Sequence, residues 1–244
     1  MLLRSKMVSQ GNFLFKYRGI LPVLILLPAL WLTYLRPLTG NQVNYNTLTY
    51  FFYALALGGL LIRVYAVGYS APNTSGRNTS AGQIADSVNN TGLYSQCRHP
   101  LYIGNFFMWL GLAVLTFHVW FILFFIVSYF FYYERIILAE ESFLEEKFSD
   151  AYTTLAEQVP SIIPKCSGWV KNKNPFSLKK AIRQEKTGIL LLNGLFLLFN
   201  AIHEITWQGV WNNHTGWVQL FIITVGYYVV VKVVEKTTTL LKVK

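Results

Sequence analysis

Apolar positions in this chain gather into long charge-free stretches instead of alternating with polar ones. Gly19 to Leu35 and Leu48 to Ile62 are two such stretches, bounded by Arg18, Arg36 and Arg63. Leu101 to Tyr133 carries no charged residue over 33 positions. A helix needs roughly 17 to 25 residues to cross a bilayer core, so this stretch predicts two helices that reverse near Thr116 to His118. Gly188 to Ile202 and Trp217 to Val231 predict a second hairpin, with Trp207, Trp211 and Asn212 to His214 in its turn. The pattern therefore predicts an all-α, polytopic membrane bundle of about six transmembrane helices.

A different periodicity follows the fourth span. From Glu134 to Glu157 the chain holds seven of its eleven acidic residues. At about 100° per residue, Ile137, Leu144, Phe148, Tyr152, Leu155 and Val159 form one apolar stripe, which predicts an amphipathic lid helix on the membrane surface. Glu146, Asp150 and Glu157 point away from the stripe, but Glu140 and Glu141 fall within it. A carboxylate on an apolar face is costly unless it meets a cation or a donor. Those two glutamates therefore pair with Arg98 or Arg63, or face a ligand.

Composition agrees with a location in lipid. Hydrophobic residues make up 53% and charged residues 13%, about half the usual charged share of a soluble domain, which rules out disorder and argues against a soluble enzyme. There are two cysteines and no CxxC or HExxH spacing, so no metal site is expected. Of the 21 Lys and Arg, four precede the first span, one follows it, three lie in 63–98, nine in 135–186 and four in the tail. Alternate faces thus carry 20 and one. Basic loops stay in the cytoplasm, which predicts cytoplasmic termini and two long cytoplasmic loops. The net charge of +10 follows from this topology and does not call for nucleic acid. Juxtamembrane Lys165, Lys171, Lys173, Lys179 and Lys180 also suit anionic headgroups.

The basic, then apolar N-terminus has the look of a signal peptide. Arg36-Pro37-Leu38 stands where a small-residue cleavage site belongs, so the segment is expected to be retained. Asn73, Asn78 and Asn89 would be chance glycosylation matches in a cytoplasmic loop, and Asn213 is a fourth sequon in the last turn. Cys97 and Cys166 would be free thiols in a reducing compartment. His203 and Glu204 are expected to be solvated at an outward span edge.

The two cytoplasmic loops hold nearly every polar residue suited to chemistry, and they bracket the central hairpin. The first ends in Gly92-Leu-Tyr94-Ser-Gln-Cys-Arg98-His99-Pro100-Leu-Tyr102-Ile-Gly104. Pro100 suits the first turn of a helix, where its missing N–H is not needed. Free backbone N–H groups, the helix dipole and the Arg98 guanidinium then converge as a trap for a carboxylate or phosphate. Interfacial anchoring is the plain alternative for Arg98 and His99. Gly104, one turn in, admits close approach by another helix or a ligand.

Taken in order, Gly92, Tyr94, Arg98-His99-Pro100, Tyr102 and Gly104, a hydrophobic hairpin, then Glu140-Glu141, Leu144, Phe148, Tyr152, Val159-Pro160 and Pro164 resemble the isoprenylcysteine carboxyl methyltransferase and phospholipid methyltransferase superfamily of membrane enzymes. Arg63-Val-Tyr65-Ala66-Val67-Gly68 also looks like the segment preceding this loop in bacterial relatives. The resemblance spans about Leu48 to Pro164. It divides the chain into an N-terminal segment with the first helix (1–47), a methyltransferase core (48–164) and a basic linker with a C-terminal hairpin (165–244).

The resemblance implies an S-adenosylmethionine site on the cytoplasmic face, with Arg98, His99, Tyr102, Gly104, Glu140 and Glu141 on the cofactor. It makes Arg98 and Glu141 the catalytic pair, and has Tyr152 and Pro160 order a lid. A membrane lipid or lipid-modified acceptor would present a carboxylate, phosphate or amine. Ser149 departs from the glycine common after Phe148, and Leu155 from a common second tyrosine. Sterol reductases resemble the same fold, which keeps an NADPH-dependent reductase as an alternative. A non-enzymatic scaffold is the third class. The predicted spans contain no midplane ionisable group of the kind transporters carry.

Overall fold

The computed structural model describes residues 3–19, 21–35, 42–74, 78–79, 82–211 and 216–241. Arg36, Asn213 and the turn at 212–214 lie outside these residues, as do the side chains of Asn78 and Trp207. The regular structure of the described chain is helical except for a two-residue ladder pairing Asn78–Thr79 with Gly82–Gln83. Its helices are α1 (Leu3–Tyr17), α2 (Leu21–Leu35), α3 (Gln42–Tyr69), α4 (Pro100–Ala113), α5 (Val119–Phe148), α6 (Asp150–Gln158), α7 (Leu178–Gln208) and α8 (Gly216–Thr237).

Apolar helices stand at all six expected places, but the span count differs. Among the described residues, four helices are long and apolar enough to cross a membrane: α3, α5, α7 and α8. A fifth span arises if α1 and α2, bent by 70°, cross as one. The 15 residues of α2 and 14 of α4 reach only about 21–23 Å at 1.5 Å per residue, short of a hydrocarbon core of about 30 Å. The chain is a multi-pass membrane protein.

The central hairpin reverses where the apolar pattern predicts. After α4 a 3₁₀ turn, Val114–Thr116, leads to Phe117 in the left-handed region (φ 50°). His118 then caps α5, its Nδ1 accepting the Phe121 N–H at 3.3 Å. The α3–α4 pair packs through a seam of small residues, as expected where lipid supplies no hydrophobic drive between helices. A Cβ on Gly59 would lie 2.4 Å from the Gly104 carbonyl oxygen, and one on Gly111 would lie 2.7 Å from that of Phe52.

Two helices run longer than hydropathy predicts. The 30 residues of α5 span about 45 Å, so its last turns project beyond a core of about 30 Å, carrying Glu140 and Glu141. The amphipathic lid is thus split. Its first half continues α5 to Phe148, and only α6 is a separate helix. Similarly, α7 begins at Leu178, ten residues before the predicted Gly188. Ser177 caps it, accepting the Lys180 N–H at 3.3 Å. Buried Lys180 then donates from Nζ to Ser70 O, Ser70 Oγ and Ala71 O at 2.6–2.8 Å, closing the C-terminus of α3, where a cation is favoured.

The N-terminal helix α1 lies antiparallel against the projecting part of α5. Arg4 meets Glu145, and Gly11 meets the backbone at Arg135. His203 is buried rather than solvated, because its ring stacks on Tyr45 with centroids 3.4 Å apart. Asn73 donates to Asp86, while Asn89 accepts the Ala71 N–H and donates to Thr74, so both sequon side chains brace the loop after α3. Cys97 and Cys166 are unpaired.

Candidate active site

The RHP loop and the segment after α6 run side by side. Backbone N–H groups of Arg98 and His99 donate to the Pro160 and Ser161 carbonyls at 2.9 and 3.1 Å, and Lys165 N–H donates to Gln96 O at 3.0 Å. The Pro160 carbonyl thus ties the segment after α6 to the RHP loop. His99 is the residue before α4, with Pro100 in the first turn.

Glu141 is the hub of this junction. Its Oε1 accepts from Arg98 Nε at 3.0 Å, Arg98 Nη2 at 2.7 Å and Ser161 Oγ at 3.0 Å, with His99 Nε2 3.1 Å away. Arg98 Nη1 donates to the Ala156 and Val159 carbonyls at 2.8 and 2.5 Å, binding the C-terminal end of α6. In this conformation Arg98 thus turns to the lid, and Arg63 pairs with neither glutamate of the stripe.

Glu140 faces the other way, accepting the Tyr102 hydroxyl at 2.7 Å, with His99 Nδ1 at 3.5 Å. Tyr129 in turn donates to the Tyr102 carbonyl at 2.6 Å. His99 thus lies between two carboxylates. Burial disfavours its charge, but hydrogen bonds and attraction to Glu140 and Glu141 outweigh burial and push its pKa up to about 9. Burial pushes the Cys97 thiol up to about 11, leaving it unsuited to act as a nucleophile at neutral pH.

Beside this cluster lies a cavity of about 420 Å³, within the usual range for small-ligand pockets. Arg98, His99, Tyr102, Glu140 and Tyr152 line it, together with Tyr94 and apolar Phe143, Leu144 and Leu155. Glu141 is not among its lining residues, and neither is Gly104. A Cβ on Gly104 would meet Gly59 O at 2.7 Å and Arg63 Cγ at 2.5 Å, so the close approach it permits is to α3. The Tyr152 hydroxyl is buried beside Arg98 without a hydrogen bond of normal geometry.

The break between α5 and α6 falls at Ser149, with φ 44° and ψ −120°. Glycine adopts this backbone far more readily than serine, which gives a physical reason for glycine to be common after Phe148 in the family that this region resembles.

A family model described as phospholipid methyltransferase matches residues 47–151. The match is consistent with the integral membrane methyltransferase superfamily. The matched segment holds most of α3, all of α4 and α5, the RHP loop and both stripe glutamates. It excludes Arg18 of the α1–α2 turn, Ser161, and Gln184 and Glu185 of α7, although Arg18, Gln184 and Glu185 also line the cavity. A curated relative, the nickel-cobalt-cadmium resistance protein NccN of Alcaligenes xylosoxydans xylosoxydans, is 23% identical over 143 residues. The match covers 59% of this chain and 63% of that protein, so the chain spans under two thirds of the relative's length. No solved structure matches.

Sequence reasoning assigns no site role to Asn105 or Glu185, and reads Arg63 as a span boundary and as an alternative partner for Glu140 and Glu141. Asn105 was open to notice, one residue past Gly104 on the first turns of α4. Glu185 carries no local signal, since its partner Arg63 is 122 residues away.

Proposed function

We propose that the chain is an S-adenosylmethionine-dependent methyltransferase acting on a lipid or lipid-modified acceptor at the cytoplasmic side of its membrane. The observation that carries this reading is the convergence of Arg98, His99, Tyr102 and Glu140, all from the matched segment, on one cavity.

S-adenosylmethionine, when bound, supplies a transferable methyl on a sulfonium, with a carboxylate and an ammonium beside it. The lining suits such a mixed charge. Glu140 offers an acid for a cationic centre, Arg98 and His99 offer positive charge for an anion, and Tyr94, Tyr102 and Tyr152 offer aromatic walls. Phe143, Leu144 and Leu155 limit water, and the Arg98–Glu141 latch holds α6 over the cavity. Holding two reactants in line is worth about 7–11 kcal/mol at its best, so a latch acting only on position has catalytic weight. Glu141 is in this account a positioning residue.

Protonation narrows the acceptor. His99 remains charged up to about pH 9 and so cannot serve as a general base at neutral pH. An acceptor that is already anionic, a carboxylate or phosphate oxygen, needs no base. An amine acceptor would have to rely on Glu140. Charge supports this orientation: the stretches 63–98 and 135–186 that border the site hold twelve of the 21 Lys and Arg, and basic flanks stay cytoplasmic.

The experiment is to incubate membranes containing the protein with methyl-labelled S-adenosylmethionine and identify the labelled lipid. Arg98→Ala and Glu141→Ala should each lose labelling while still inserting and purifying as wild type. Full activity in either variant removes the role assigned to that residue, and no labelled lipid with wild type contradicts the reading.

A further inference from the structure

The cavity has a second polar wall that the matched segment does not complete alone. Arg63 of α3 lines it and donates from Nε and Nη2 to the two carboxylate oxygens of Glu185, each at 2.8 Å. Arg63 Nη1 donates to Asn105 Oδ1 at 2.6 Å. Glu185 belongs to α7, outside the matched segment, and its side chain is 1% exposed. Glu185 and its neighbour Gln184 both line the cavity.

As a helix fastener this pair is a poor choice, because apolar residues in place of a buried ion pair are often as stable or more so. Its position suggests another use. A guanidinium has five N–H donors. Glu185 and Asn105 take three of those on Arg63, which leaves two without a protein acceptor among the described residues. On Arg98, four are engaged by Glu141, Ala156 and Val159. Of these two arginines, Arg63 has more donor capacity to spare. Its plane is held on both sides, and the hold extends to the RHP side of the cavity. Asn105 Nδ2 donates to the Tyr133 hydroxyl at 3.1 Å, and the Tyr133 ring packs 4.6 Å from that of Tyr102, the partner of Glu140.

We propose that Arg63, aimed by Glu185 and Asn105, binds a carboxylate or phosphate in the cavity, and that α7 is thereby part of the ligand site. The anion has two possible sources, the amino-acid carboxylate of the cofactor or the anionic group of the lipid acceptor. Assigning either source rests on the methyltransferase reading; the anion site itself does not.

The test uses the purified full-length protein in detergent as wild type, Arg63→Lys and Glu185→Gln. Lysine keeps the charge but loses the fork, and glutamine keeps the shape and an acceptor. Calorimetry measures S-adenosylhomocysteine against 5′-methylthioadenosine, which lacks the amino-acid carboxylate. Native mass spectrometry measures retention of phosphatidic acid against diacylglycerol, which lacks the phosphate. If Arg63 holds the cofactor, Arg63→Lys weakens S-adenosylhomocysteine about 10- to 100-fold, the scale of a charged hydrogen-bonded pair, and leaves methylthioadenosine unchanged. If it holds the acceptor, the nucleosides are unaffected and preference for phosphatidic acid falls by a similar factor. Glu185→Gln moves the same readout in the same direction by less, and carries the test alone if Arg63→Lys does not fold. Folded variants that shift neither readout by more than about twofold overturn the proposal. A wild type that binds no S-adenosylhomocysteine contradicts the methyltransferase reading and leaves the phosphatidic acid comparison to decide on the anion site.

Discussion

Replacing Glu141 by glutamine should release the lid while sparing the rest of the bundle. Three of the contacts on Oε1 come from cations, two from Arg98 and one from His99, at 2.7–3.1 Å. The amide keeps an oxygen in place but removes the anion that faces three cationic donors, a loss of about 1 kcal/mol per contact. Summed over the three, the loss is about 3 kcal/mol, the lower end of the 3–5 kcal/mol expected when one side of a buried pair is removed. The Arg98 and Glu141 side chains are 12% and 22% exposed, so solvent screening reduces this only modestly. The cost falls on one junction, and it should therefore appear as local opening. At about 1.4 kcal/mol per tenfold, amide hydrogen exchange across 150–165 should accelerate about a hundredfold, with α7 and α8 unchanged. Lid exchange within about twofold of wild type, or an equal rise throughout the bundle, would refute the latch.

Other expectations follow from the same geometry. Ser149→Gly should stabilise the protein by about 1 kcal/mol by relieving a positive-φ serine, raising the melting temperature in detergent; an unchanged or lower value would contradict the strain. Gly59→Ala should prevent normal assembly, since its Cβ would meet a carbonyl oxygen at 2.4 Å, and size-exclusion chromatography would report the loss. The pKa of His99 is raised from 6.5 to about 9 on folding. Its charge therefore contributes stability fully below about pH 6.5, and that contribution is lost as pH rises through about 9. Lid exchange, corrected for intrinsic rates, should increase across that window in wild type but not in His99→Gln.

Much of this site was legible because its signals are local. Pro100 at a helix start, the reversal at Thr116 to His118, and two glutamates on an apolar stripe each follow from spacing along a few turns. The departures share one cause, which is that charge is read as exposure. Lys180, Glu185 and Lys186 made the start of α7 look like a loop, yet all three are buried, matched by Ser70, Arg63 and Glu235 respectively. Partners that far apart leave no trace in a window of ten or twenty residues. His203 was misread in the same way, since stacking on Tyr45 removes it from solvent. The division of labour between Glu140 and Glu141 was equally hidden. Adjacent helical positions differ by about 100°, and only the packed structure reveals that one faces the cavity and the other the lid.

The joining of the RHP loop and the acidic end of α5 into a methyl-donor site is tested most directly by titrating S-adenosylhomocysteine into the purified protein in a calorimeter, beside Glu140→Gln. The account predicts one binding site per chain for wild type and binding weakened at least about tenfold in the variant, where the cavity loses the acid that meets the amino-acid ammonium. Absence of binding to folded wild type, or equal binding by both proteins, would contradict it.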